Sequence, residues 1–321
     1  MPDEAPMKPA DMLQVAKSVT ISPDRLSADV AGMDFSEDSP RELQKVIAGA
    51  LYERFHVGRE VGKIINRQLT RSLHRDIDFE MRLRKAVPHE NIEVTGRVMR
   101  MPRANSDGLR EVLLDRDGLR IWTPIEALHE TNIRSIGQIV SLSASPCRPA
   151  VSPGFFLVQG KRHLDPDSSI VRVYTNITEH EQAPDVWAAA LRRLEDVGAA
   201  FRAKILSDLP SYPRRDALVI YLESTYEAAA FDIADAVSGL PGVGATTSVY
   251  ASELTAGVAM AWEPSDPRPG RHGLSFGQHR SSVLAEALMH SARTGCPIGT
   301  SLTDHLVEAG VDPGNPARNL H

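Results

Sequence analysis

The chain has 321 residues, 42% hydrophobic and 24% charged, an ordinary globular balance with length for more than one folding unit. Aromatics are only 5% and the net charge is −6, which argues against a base-stacking platform or a surface that coats polyanions. Cys147 and Cys296 fit no zinc or redox spacing, no apolar run nears the ~20 residues that cross a bilayer, and the acidic start lacks a signal-peptide core, so a cytoplasmic protein with neither membrane nor nucleic-acid partners is expected.

Residues 1–40 hold five prolines without sustained periodicity and read as a flexible tail, with one short helix near Met12–Ser18. From Arg41, after the start signal Asp38-Ser39-Pro40, residues Leu43, Val46, Ile47, Ala50 and Leu51 fall at helical spacing. Helical patterning resumes from Ile64 to Leu83 and stops at Pro88. Period-two alternation marks strands at Ile92–Val98, Glu111–Leu114 and Leu119–Pro124, with a hairpin turn at Asp115–Gly118. Gly137–Leu142 and Phe155–Val158 extend this to a small β unit over about 90–162, and His163–Ser169 reads as a linker.

Beyond it, strands are expected at Val171–Ile177, Phe201–Leu206, Ala217–Leu222 and Val258–Trp262. Helices are expected from Pro184 to Val197, Tyr226 to Val237, Arg280 to Ala292, and Leu302 to Ala309. Strands and helices do not alternate strictly, so the class is α+β. Three regions follow: the tail 1–40, a helical plus small β region 41–165 suited to peptide or partner recognition, and an α+β domain 166–321.

The last of these carries cations in unusual places. Arg172 and Tyr174 share one face of a strand, Lys204 interrupts an apolar strand, Arg214, Arg215 and Asp216 precede the most apolar strand, and Arg280 follows a Ser-Phe-Gly-Gln-His turn. Singly, each fits a solvated or ion-paired side chain, and Lys204 equally fits an edge strand facing water. Tyr221 reads as a core aromatic. Histidines 56, 74, 89, 129 and 163 show no ligand spacing, so no metal and no cofactor is expected. Pro241-Gly-Val-Gly lacks the lysine of a phosphate loop and is a turn.

Five segments in register resemble the HopA-type effector family, including its stand-alone members from class V lanthipeptide and thioamide-peptide gene clusters. They are Arg172–Asn176, Phe201–Lys204, Tyr212–Tyr221, Gly257–Pro264 and Ser275–Arg280. The resemblance implies a lyase that eliminates phosphate from phosphoserine or phosphothreonine in a ribosomal precursor peptide, giving dehydroalanine or dehydrobutyrine, in partnership with a separate kinase. Such chemistry needs a nearby base for the weakly acidic Cα proton, and Lys204 suits it. It needs planar cations around the leaving phosphate, for which Arg172, Arg214, Arg215 and Arg280 are candidates, with Asp216 as an orienting partner. His279, Tyr212 and Tyr174 are candidate acids. A non-catalytic adaptor that grips a leader peptide or the kinase is the rival reading. The chain is not itself a kinase, since Gly-rich loop, catalytic-loop Asp and Asp-Phe-Gly are missing.

Overall fold

The computed structural model describes residues 11–59, 75–116, 118–271 and 273–320. It is an α+β fold built around one large antiparallel sheet. The part of the expected 64–83 helix that falls at 64–74 lies outside the described residues.

From residue 11 the expected tail is folded. Helix α1 (Met12–Ala16) leads into strands β1 (Val19–Ile21), β2 (Ser27–Val30) and β3 (Asp34–Ser36), which pair antiparallel in that order. Ala28, Val30 and Phe35 alternate with polar neighbours and are buried, and Pro23 sits in the connection between β1 and β2, where a missing N–H costs no ladder bond. Composition alone concealed this, because Pro23 and Pro40 fall outside the strands.

Helix α2 (Pro40–Leu51) starts where the Asp-Ser-Pro signal places it, with the Ser39 side chain accepting from Glu42 N at 3.2 Å. It runs directly into a π turn, Tyr52–Val57, closed by left-handed Gly58 at φ 87°. Helix α3 (Ile77–Lys85) follows. Strands β4 (Ile92–Ala104), β5 (Arg110–Arg116), β6 (Leu119–Pro124) and β7 (Ile139–Ala144) then form a four-stranded sheet, order β6-β5-β4-β7, over its own core of Val94, Val98, Leu114 and Val140.

The remaining elements are β8 (Cys147–Ser152), β9 (Phe155–Gln159), β10 (Ile170–Ile177), α4 (Ala183–Asp196), β11 (Phe201–Leu206), β12 (Arg214–Glu223), α5 (Ala229–Val237), β13 (Ser252–Thr255), β14 (Val258–Trp262), α6 (Phe276–Thr294) and α7 (Ile298–Glu308). Seven of the strands make one sheet, order β13-β14-β10-β12-β11-β9-β8, every neighbour antiparallel. The Phe155–Val158 strand therefore belongs here and not to the small β unit, and a boundary at 165 would cut the large sheet. Phe155–Val158 is an unbroken apolar run that fits either sheet, and only its pairing with β11 settles which one it joins.

The sheet is packed on both faces. Val171, Val173, Ala203, Ile205, Ile220 and Leu222 point to α4 and α5. Tyr174, Val219, Ala259 and Ala261 point to α2 and α6. Those two helices cover β14 and β10, but across β12, β11 and β9 the same face stays partly open: Tyr221, Lys204 and Phe155 are half-buried and Arg202 is exposed. Helix α6 begins at Phe276, four residues before the expected Arg280, because Ser275 and Gln278 form a reciprocal capping box. What reads as a turn is thus the first turn of a helix. No helix among the described residues is long and apolar enough to cross a membrane.

Candidate functional site

Antiparallel register places the cations. Arg202, Tyr221 and Arg172 are successive partners across β11, β12 and β10, and Lys204, Val219 and Tyr174 form the next row on the same face. Tyr221 is consequently ringed by cations, with Arg172 Cζ at 5.0 Å, Arg202 Cζ at 5.2 Å and Lys204 Nζ at 5.9 Å from its ring centre. Phe155 holds the other side of Lys204, whose Nζ stands 4.5 Å from that ring, and Arg214 Cζ lies 5.6 Å from it. Two aromatic rings thus orient one lysine and three arginines, each contact contributing about 0.5–1 kcal/mol where partly solvated.

Strict alternation from Val219 would send Asp216 to the opposite face. Instead, Thr175 pairs with Leu218 while Ile177 pairs with Arg214, so β12 bulges. That two-residue shift alone keeps the parity; the alternation breaks at Ala217 and Leu218, neighbours that both pack into the core under α4 and α5, and this delivers Arg214 and Asp216 to the site side. There Arg214 Nε and Nη2 each donate to one Asp216 carboxylate oxygen at 2.7 Å. Arg172 holds Glu263 in the same two-point manner through its Nε and Nη2. In both arginines Nη1 has no protein acceptor among the described residues and is not sealed from solvent. Each guanidinium is fixed by its carboxylate yet keeps two N–H donors to offer.

The π turn supplies the wall beside them. Tyr52 Oη is 3.4 Å from Arg214 Nη2, and His56 Nε2 is 3.9 Å from Asp216 Oδ2 while its Nδ1 meets Ser248 Oγ at 2.8 Å. Burial would raise the Asp216 pKa, but the Arg214 ion pair, helped by His56 and Lys204, holds it far below the usual carboxylate range. Burial drives His56 down to about 4; Asp216 opposes this and Arg214 and Arg172 add to it, so the imidazole is neutral at pH 7. Burial also raises the Tyr52 and Tyr174 phenols. The Tyr174 hydroxyl is buried with no hydrogen-bond partner among the described residues, while Arg172 lies close enough to oppose the rise.

Of the residues expected from sequence, Lys204, Arg172, Tyr174, Arg214 and Asp216 come together. Four others do not. Arg215 staples the π turn, donating to Phe55 O at 3.2 Å and Thr246 Oγ1 at 3.2 Å while packing against Gly58. Tyr212 donates its hydroxyl to Leu206 O at 2.7 Å and packs against the core beneath the sheet's other face. His279 and Arg280 are sealed inside α6. Arg280 Nε donates to Pro316 O at 2.6 Å and Nη1 to His279 Nδ1 at 2.7 Å. An arginine only donates, so His279 Nδ1 accepts and its Nε2–H points to Asp266 Oδ2 at 2.9 Å. Burial and the adjoining Arg280 push His279 down to about 4. With its donors taken by His279 and the carboxy-terminal segment, Arg280 braces that segment, and His279 is its neutral link to Asp266.

Sequence reasoning missed Tyr221, Phe155, Arg202, Tyr52, His56 and Glu263. Tyr221 looked like core because its strand is apolar, and cross-strand partners cannot be read before the pairing is known. His56 shows no ligand spacing in the sequence, and its role comes only from its packing against Tyr174 and Asp216. Tyr52 and His56 both lie in the π turn, which continues α2 without a break in the helical pattern.

Among solved structures the chain is similar to the effector protein from Pseudomonas syringae pv. syringae strain 61, at 14% identity over 86% of this chain and 95% of that one, TM-score 0.46. It is also similar to the effector protein from Pseudomonas syringae pv. tomato strain DC3000, at 20% identity over 51% of this chain, TM-score 0.41, and spans 62% of that protein's length. No curated protein matches. The pattern of the HopA1 effector protein family matches residues 147–318, more than half of the chain and the whole of the seven-stranded sheet, and the chain belongs to that family.

Proposed function

We propose that the open face of the large sheet is a lyase site that eliminates phosphate from phosphoserine or phosphothreonine in a ribosomally made precursor peptide, with a separate kinase supplying the phosphorylated substrate. The observation that carries this reading is Lys204, with no carboxylate within 4.0 Å among the described residues, standing between two arginines that each present a free Nη1. A phosphate monoester carries ~2 negative charges at neutral pH, and the Nη1 groups of Arg172 and Arg214 suit its oxygens. Lys204 Nζ, after giving its own proton to solvent, takes the Cα proton. The Cα–H electrons form the Cα–Cβ double bond and the Cβ–O bond breaks, its pair leaving on the phosphate. Negative charge grows on the bridging oxygen as that bond breaks, so donors already fixed by Glu263 and Asp216 stabilise the transition state with little reorganisation.

One observation favours the second reading, a phosphate-gripping adaptor without chemistry: Arg172 and Arg214 are each already neutralised by a carboxylate. The two readings part in one experiment. Incubating the protein with a synthetic phosphoserine peptide and following its mass yields the dehydroalanine product if the site is a lyase. Saturable binding with the peptide mass unchanged, the kinase present or absent, supports the adaptor instead.

A further inference from the structure

Helix α6 borders a second cavity at its far end. About 20 Å along it from the turn that meets His56, a cavity of about 400 Å³ opens between the turn after β1, the start of α2, the last turns of α6, and α7. Arg25, Arg41, Arg293, His290 and His305 line it, brought from four separate elements. None of the three arginines has a carboxylate within 4.0 Å among the described residues. Two carboxylates also line the cavity, but Glu286 is already held by Arg268 at 2.8 Å and by Arg271, which leaves Glu308 alone against three guanidinium charges.

The two histidines are set for the same task. Ser301 Oγ donates to Ala287 O at 2.8 Å, so it accepts from His290 Nδ1 at 3.2 Å; His305 Nδ1 donates to Ser301 O at 2.7 Å. Both rings therefore carry their proton on Nδ1 and leave Nε2 without a protein partner among the described residues, with ring centres 5.2 Å apart. Like charges gathered from four elements repel one another unless a counter-anion joins them. The start of α2 adds the positive end of a twelve-residue helix.

We propose that this cavity binds a small molecule bearing a pyrophosphate-type pair of phosphate groups. Planar guanidiniums match phosphate oxygens two at a time, and the volume exceeds what a single phosphate fills. The site is separate from the open sheet face and does not depend on the activity proposed there.

Titration calorimetry of the full chain with inorganic pyrophosphate, at ~0.15 M ionic strength so that diffuse attraction is screened, tests it. Saturable binding is expected, at least about tenfold tighter than that of inorganic phosphate. The double variant Arg41→Ala/Arg293→Ala should weaken pyrophosphate by more than about tenfold. Both side chains are exposed and make no hydrogen bond among the described residues, so the fold is retained. Glu308→Gln should tighten binding. Absence of saturable binding at millimolar pyrophosphate, equal affinity for phosphate and pyrophosphate, an unchanged affinity in the double variant, or weaker binding by Glu308→Gln would each overturn the proposal.

Discussion

Arg214 holds Asp216 side-on, both carboxylate oxygens 2.7 Å from its donors and both side chains buried in the bulge of β12. The pair turns a flexible cation into a fixed one. Removing one partner leaves the other charge buried and uncompensated, which costs on the order of 3–5 kcal/mol. Asp216→Ala is therefore expected to lower unfolding stability by that amount, read from the midpoint of a urea titration at pH 7. A shift below about 1 kcal/mol would mean that Arg214 finds water or another acceptor instead.

Stability should also fall on mild acidification, and the histidines set the window. His56 and His279 are both depressed to about 4, against ~6.5 for an unperturbed imidazole. Between those values the unfolded chain binds protons that the native state does not, so the stability fully present above pH ~6.5 is lost as pH falls towards 4. From pH 7 to 5 the loss is roughly 2 kcal/mol per histidine at most. Asp216 adds to it only below pH ~4, where its unfolded carboxyl protonates and its folded one does not. Urea midpoints at pH 7 and 5 measure this, and equal values would contradict the neutral, buried state of both rings.

Gly277 offers a test by sign. Within a helix, glycine to alanine usually gains about 0.5–1 kcal/mol. Here an added Cβ would lie 2.2 Å from His56 Cδ2, and His56 is tethered to Ser248. Gly277→Ala is expected to destabilise by roughly 1–3 kcal/mol, as overpacking does, and to disturb the Asp216 side of the site. Stabilisation in a thermal melt would show that the π turn gives way freely.

Arg280 and Arg172 should separate structure from binding. Arg280→Met strips the Pro316 carbonyl of its Arg280 donor and leaves the Arg318 carbonyl with Asp312 N alone, so it should expose the carboxy-terminal segment to limited proteolysis and lower stability by about 1–3 kcal/mol. Arg172→Met should weaken phosphopeptide affinity at least about tenfold relative to the unphosphorylated peptide. Equal loss for both peptides would place Arg172 in general peptide contact.

How much of this was legible beforehand follows from the kind of information each feature needs. Strands such as Val171–Ile177 and Phe201–Leu206 were readable because alternation is local, and α2 because Ser39 and Pro40 announce it. Lys204 stood out as a charge in an apolar strand. The aromatic walls of its site did not, since Tyr221 and Phe155 acquire meaning only through the β12–β11–β9 pairing. The parity of Asp216 was equally hidden, because a bulge is a property of two strands and leaves no mark on one. Arg280 misled for the opposite reason: adjacency to a polar turn suggested exposure, while the capping box at Ser275 draws that turn into the helix and buries the arginine.

The most direct measurement compares wild type with Lys204→Ala on a phosphoserine peptide, following dehydroalanine by mass and affinity by calorimetry in parallel. The half-buried lysine is not needed to hold the sheet, so the variant should fold, bind phosphopeptide within a few-fold of wild type, and lose elimination by at least about a hundredfold. Undiminished elimination by Lys204→Ala would contradict the account, whatever the arginines contribute.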